Sequence, residues 1–124
     1  SLVAPAITGG NTVVALASSA QPYPAIVLGE MLATSDLPGG VVNLLTGFHK
    51  ELVPTFATHT HLRAISAAVT PAERKALELG AADSVKRTHF TDAEKTDWFA
   101  DGAQSLYAVR DFLEFKTTWH PIGA

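Results

Sequence analysis

The chain has 124 residues, of which 47% are hydrophobic and 17% charged, so it can form one domain with a modest core. Its net charge of −3 gives no broad positive field and disfavours nucleic acid or an anionic membrane as a partner, and its lack of cysteine excludes a thiolate nucleophile and any cysteine-ligated metal site within this sequence. No apolar run approaches the roughly 20 residues that cross a bilayer, and the first residues lack a basic secretory start, so we expect a cytoplasmic location.

The first half of the chain predicts alternating helices and strands. Apolar residues recur at helical spacing in some segments, whereas other segments are short, rich in β-branched residues and bounded by glycine, proline or serine. These patterns predict, in chain order, a helix end over Leu2 to Thr8, a strand over Thr12 to Ala17, a helix from Pro22 that is broken at residues 36–40, a strand over Val41 to Leu45, a short helix from Leu52 to His59 and a strand over Leu62 to Val69.

The second half of the chain is more charged. Thr70-Pro71-Ala72-Glu73 has the pattern of a capped helix start with proline at the first helical position, and Gly80 is expected to close that helix. After it we expect a strand within Ala82 to Phe90, a turn-rich segment over residues 91–102 anchored by Trp98 and Phe99, a helix over Ala103 to Phe112 and a tail strand over Glu114 to His120.

The predicted order of elements favours one fold class. Strands alternating with helices through short connections pair in parallel through right-handed crossovers, so the fold class is α/β with three layers and a small, mainly parallel sheet, plus a C-terminal helix and strand. We expect residues 1–90 to form this unit and residues 91–124 to form a tail that packs on it or on a partner.

Two segments resemble the dinucleotide-binding region of aldehyde dehydrogenases. Residues 4–14, which read Ala-Pro-Ala-Ile-Thr-Gly-Gly-Asn-Thr-Val-Val, look like the family's first helix end and strand, and residues 37–47 match its Leu-Pro-Gly-Val-Val-Asn-Val-Val-Thr-Gly segment. Residues 59–65 are similar to a following His-Pro-x-Val segment, and residues 112–119 look like the family's terminal oligomerisation strand. The resemblance implies a Rossmann-like unit and a family cofactor of NAD or NADP, with the family's catalytic domain almost entirely absent.

The positions that would bind the nucleotide depart from the family pattern. An ungapped match places Leu16 and Ser19 where the family has the lysine and glutamate that hold the adenosine ribose. The family's Phe-Thr-Gly-Ser loop falls at residues 67–70, where Val69 replaces the glycine that lets backbone approach phosphate, followed by Thr70 and by Pro71, which lacks an amide donor. We therefore expect no cofactor to be bound by this chain.

The missing cysteine points the same way. The family's hydride transfer starts from a covalent thiohemiacetal, which this chain cannot form. The chain looks like the end of a degenerate, nucleophile-lacking region that follows a complete enzyme in one branch of the family. We expect a longer parent protein and a non-catalytic, structural or oligomerisation role. The alternative is part of an NAD(P)-dependent aldehyde dehydrogenase whose catalytic cysteine lies outside this chain.

The tail is the predicted interface. Phe115, Thr117 and Trp119 alternate with polar residues, and together with Lys116 they would add a strand to a sheet edge on a second copy or on the rest of a longer aldehyde dehydrogenase.

Other residues allow different interpretations. His59 and His61 could share a strand face and suggest a metal, but no third ligand is placed by the sequence, so no metal is expected. A third possibility is a small enzyme that uses histidine or glutamate, with Glu73, Glu78 and Asp83 as acid–base candidates. Roles at a helix start and on a solvated face explain these carboxylates without any shift in pKa, so we favour those roles.

Overall fold

The computed structural model describes residues 1–123 as an alternating series of helices and strands. The elements are α1 (Val3–Thr8), β1 (Val13–Leu16), α2 (Tyr23–Ala33), β2 (Val42–Leu45), α3 (His49–Thr58), β3 (Ala64–Val69), α4 (Pro71–Ala82), β4 (Arg87–Asp92), a 3-10 turn (Asp101–Gln104) and α5 (Tyr107–Arg110). The predicted mixed α/β fold with parallel strands is confirmed.

The four strands form two parallel pairs. β1 pairs with β2, with Val13 opposite Val42, and β3 pairs with β4, with Ser66 opposite His89. Within the described residues these pairs are separate two-stranded sheets rather than one. Each strand therefore has one neighbour and one free edge.

The core lies between β3 and the two helices α3 and α4. Ala57, Ile65, Leu77 and Ala81 are buried there, and Val53, Ala67, Val69 and Phe90 pack against them. The odd-numbered residues of β3 supply this face because side chains alternate along a strand. The opposite face of the β3–β4 pair carries Ser66 and His89.

Gly80 does not end α4, contrary to the sequence expectation. The helix continues to Ala82, because Gly80 is where α4 approaches α3: a Cβ placed on it would lie 2.6 Å from Cβ of Ala57. The glycine permits close helix packing.

The half of the molecule built on β1 and β2 has no comparable core. None of the residues Tyr23–Ala33 is buried, and α2 exposes several large apolar side chains: Tyr23, Ile26, Leu28 and Met31. On the sheet itself Val14 and Leu45 remain exposed, so this parallel pair is not covered on both faces, as parallel strands usually are.

The C-terminal part is less regular than predicted. Instead of one helix over Ala103 to Phe112, the 3-10 turn and α5 are separated at Ser105, whose backbone is extended and whose hydroxyl accepts the Tyr107 backbone N–H at 3.2 Å. In the structure, residues 114–120 form neither helix nor strand. A strand needs a neighbour to satisfy its backbone groups, and the single chain places none beside this segment.

The strand predicted within Ala82 to Phe90 forms further along, as β4, because α4 runs on to Ala82. Among residues 1–123, no helix is both long and apolar enough to cross a membrane.

Candidate functional site

The candidate site is the edge where β1, β2 and β3 end. In parallel α/β folds, ligands bind outside the carboxyl ends of the strands, and the following helices point their N-termini at this edge. Here β1 leads to Ser19, β2 to the start of α3 at His49, and β3 to the start of α4 at Thr70. Side chains of this chain connect all three ends.

Ser19 joins the ends of β1 and β2. Its hydroxyl donates to the carbonyl oxygen of Gly47 at 3.2 Å and accepts the backbone N–H of His49 at 2.9 Å. One of the free amide donors at the start of α3 is thus already satisfied. Ser19 acts here as a connector between two loops.

His49 extends the connection to α4. Its Nε2 lies 3.0 Å from the carbonyl oxygen of Ala17, and its Nδ1 lies 3.8 Å from Oε1 of Glu73. Nε2 is within hydrogen-bonding distance of Ala17, whereas the separation from Glu73 is that of an ion pair, which forms when the ring is protonated. The half-buried ring therefore bridges β1 to α4.

Glu73 closes the N-terminus of α4. Its carboxylate accepts the Thr70 backbone N–H at 3.0 Å and the Thr70 hydroxyl at 2.7 Å, while the Glu73 backbone N–H donates to the Thr70 hydroxyl oxygen at 3.4 Å. This is the capping box expected from the sequence. Hydrogen bonds from the Thr70 backbone and hydroxyl lower the pKa of Glu73, and His49 lowers it further. The first turn of α4 thus carries a built-in anion.

The residues singled out at the family's nucleotide positions lie around this network. Leu16 is the half-buried last residue of β1, and Ser19 has the loop contacts given above. Val69 ends β3 with its side chain packed toward the core, and Thr70 is the N-cap of α4. Pro71 follows at the first helical position and supplies no N–H.

The site's electrostatics disfavour a phosphate group. A helix N-terminus attracts anions through its free amides and dipole. At α4 one amide is absent at Pro71, another is taken by Thr70, and the Glu73 carboxylate occupies the vicinity with its own negative charge. A second anion would meet repulsion and few free donors.

Ser19, His49 and Glu73 do not form a nucleophile-activating triad. The Ser19 hydroxyl donates to Gly47 and contacts the backbone of His49, while the imidazole Nε2 faces Ala17. No ring nitrogen in this arrangement takes the serine proton. His59 and His61 have ring centroids 5.8 Å apart, and no group of three or more potential metal ligands occurs in the part of the chain that the structure describes.

Sequence reasoning missed His49 as the centre of the network. Its position two residues after Gly47, directly behind a predicted strand, was a usable signal because carboxyl ends of parallel strands share one edge. That its ring turns towards Ala17 and Glu73 depends on packing that spacing does not specify. The acid–base candidates Glu78 and Asp83 lie elsewhere, and Glu78 pairs with Arg74 at 2.8 Å.

Comparison with known proteins identifies the family of the chain. The model of the aldehyde dehydrogenase family matches residues 1–92 of the chain. The chain belongs to the aldehyde dehydrogenase family. The resemblance carried by residues 4–14 and 37–47 is therefore confirmed. No solved structure matches the chain.

The curated relatives that the chain matches are much longer proteins. The chain is 33% identical over 89 residues to a 2-hydroxymuconic semialdehyde dehydrogenase of a Pseudomonas species, which covers 71% of this chain and 18% of that protein. It is 34% identical over 80 residues to an NADP/NAD-dependent aldehyde dehydrogenase of Escherichia coli, covering 64% of this chain and 16% of that protein. The chain thus spans less than a fifth of these two relatives.

Proposed function

We propose that this chain is a non-catalytic aldehyde-dehydrogenase module that serves structure and assembly and binds no NAD or NADP itself. The main observation behind the proposal lies at the carboxyl ends of the strands, where the Glu73 carboxylate and Thr70 occupy the N-terminus of α4. The chain also lacks a cysteine, so the family's covalent chemistry has no nucleophile here.

An assembly role is supported by surfaces that the single chain leaves open. Each of the strands β1 to β4, as described, pairs with one neighbour only, and free strand edges accept further strands. The tail exposes Phe115 and Trp119 by 77% and 86%. We propose that Phe115, Lys116, Thr117 and Trp119 contact a second copy of the chain or the rest of a longer aldehyde dehydrogenase, with no role for nucleic acid or membrane.

Deleting residues 114–124 tests this assembly role. We expect the deletion to lower the oligomer mass measured by light scattering, because the added strand is lost. The double variant Phe115→Ser, Trp119→Ser should behave like the deletion, whereas Thr118→Ser is the matched control within the same segment. An oligomeric state that is the same in all four proteins would refute the proposed tail contact.

The second candidate function is that of a segment of a catalytically active aldehyde dehydrogenase. The chain spans 18% of its Pseudomonas relative, which is what a segment of an NAD(P)-dependent aldehyde dehydrogenase with its cysteine elsewhere would give. This alternative gains support if a cysteine-bearing aldehyde dehydrogenase domain, mixed with the chain, oxidises an aldehyde faster than it does alone.

A further inference from the structure

The C-terminal segment is bound to the body of the module at three consecutive residues. Nη1 of Arg87 donates to the carbonyl oxygen of Leu113 at 2.6 Å, and Nδ2 of Asn11 donates to the carbonyl oxygen of Phe112 at 3.3 Å. Nδ1 of His89 lies 3.4 Å from Oδ2 of Asp111. Residues 111–113, here named the clasp, therefore contact both β4 and the loop between α1 and β1.

These contacts hold the two residues that follow the C-cap of α5 at Asp111. The carbonyl oxygens of Val109 and Arg110, at the end of α5, already accept the backbone N–H groups of Phe112 and Leu113, at 3.1 and 3.0 Å. Arg87 and Asn11 instead donate to the carbonyl oxygens of Leu113 and Phe112, which lie beyond the helix. Both donors bind backbone oxygens, so they fix the path of the chain.

The Leu113 side chain fits against a glycine. A Cβ placed on Gly9 would lie 2.7 Å from Cδ2 of Leu113 and 3.2 Å from Nδ2 of Asn11. The φ of Gly9 is −79°, which any residue adopts, so glycine is required here for space and not for backbone conformation. Gly9 is thus a steric determinant of the clasp.

The clasp borders the face of β3 and β4 that lies opposite the core. Asp111 and Phe112 form part of the wall of a cavity of about 390 Å³ that is also lined by Ser66 and His89, which are register partners on the two strands. The Phe112 ring centroid lies 6.0 Å from that of His89. The clasp and the core thus occupy opposite faces of one strand pair.

We propose that the clasp is a conformational device that fixes the base of the tail, so that residues 114–123 leave the module at a set position for assembly. This inference rests on the assembly function proposed above. The clasp joins three separate parts of the sequence, near Gly9, Arg87 and Leu113, without using a residue of the buried core. Releasing it frees the tail while α3, α4 and β3 stay packed.

Gly9→Ala tests the clasp directly. The new methyl group displaces Leu113 and Asn11, so we expect amide hydrogen exchange in residues 107–113, whose backbone N–H groups are hydrogen-bonded, to rise by about tenfold, with exchange in β3 and α4 unchanged. Gly39→Ala is the matched control, since a Cβ at Gly39 meets no atom within 4 Å. Equal exchange in the two variants, or an equal rise in every element of Gly9→Ala, would overturn the proposal.

A double variant separates a steric effect from general damage. Leu113→Ala removes the atom that Gly9→Ala strikes, so the two substitutions together should raise exchange less than the sum of their single effects. Strictly additive effects would contradict direct packing of Gly9 on Leu113. Because exchange is read within one chain, the clasp can stand even if the tail deletion leaves the oligomer unchanged, and that outcome would reject only the assembly function.

Discussion

The two strand pairs of this molecule differ in how completely they are covered. The β3–β4 pair packs against α3 and α4 around Leu77, which is 2% exposed, and carries the clasp on its other face. The β1–β2 pair packs against α2, whose Met31 is 64% exposed, and leaves Val14 exposed on a strand. One pair is packed like the interior of a domain, whereas the other leaves apolar side chains exposed.

This difference shows where along the chain apolar surface is buried and where it stays exposed. Parallel strands are usually buried on both faces, so an uncovered parallel pair indicates surface that the single chain does not satisfy. Family membership fits this view, because the chain spans only 18% of its Pseudomonas relative. We therefore expect folding energy to concentrate around β3 and contact surface to concentrate around α2 and the tail.

The largest expected effect is loss of the core side chain Leu77. Leu77→Ala should lower the free energy of unfolding by about 2–5 kcal/mol, because it removes buried methyl groups and leaves a cavity. Met31→Ala on α2 is the control and should change it by about 0.5 kcal/mol or less, since that side chain is mostly exposed. Urea denaturation measures both, and equal losses would break the contrast between the two halves.

Glycines in α4 and α2 allow a second comparison of packing in the two halves of the molecule. Gly80→Ala should cost about 1–3 kcal/mol, because its methyl group meets the backbone and Cβ of Ala57 at the α3–α4 contact. Gly29→Ala in α2 meets only the end of the flexible Leu44 side chain, at 3.2 Å. It should be neutral or stabilise by up to about 1 kcal/mol through helix propensity. Thermal unfolding that ranks the two variants in the reverse order would contradict this packing.

A smaller effect is expected at the helix cap. Thr70→Ala removes the N-cap of α4 and should cost about 1 kcal/mol. Thr58→Ala, at the last residue of α3, is a matched change of an exposed threonine whose hydroxyl donates to the Pro54 carbonyl oxygen and caps no helix N-terminus. If chemical denaturation gives the same small change for both variants, the capping box contributes nothing measurable.

The smallest effect is a pH dependence from Glu73. Its pKa is lowered in the folded state by the Thr70 hydrogen bonds, so its contribution to stability is present above the pKa of an unfolded glutamate. That contribution is lost as the pH falls through the lower folded-state pKa. The stability difference between the chain and Glu73→Gln should therefore shrink on acidification below about pH 4. A difference that grows there would reverse the sign of the proposed linkage.

The helices and strands up to the start of α4 could be predicted because short sequence patterns mark where each one begins. Pro71 and Glu73 mark the start of α4, and β-branched runs mark β1 to β3. The end of α4 was predicted wrongly because Gly80 serves a contact with Ala57, which lies 23 residues earlier in the chain. The tail strand did not form because pairing needs a neighbour that the sequence pattern cannot supply.

The candidate site was predictable in part for the same reason. Its capping box follows from four consecutive residues, and the family resemblance placed Leu16, Ser19 and Val69 at the edge of the sheets. The bridge through His49 and the clasp at Leu113 arise from packing between distant segments. The spacing of residues in the sequence does not predict these contacts.

Calorimetric titration of the chain with NAD is the most direct test of the proposal that the chain binds no nucleotide. Because Glu73 and Thr70 occupy the α4 N-terminus, we expect no saturable heat at NAD concentrations up to about 1 mM. The same result is expected for NADP, whose extra phosphate adds negative charge. Saturable binding with a Kd below about 1 mM would contradict the proposal that this module binds no nucleotide.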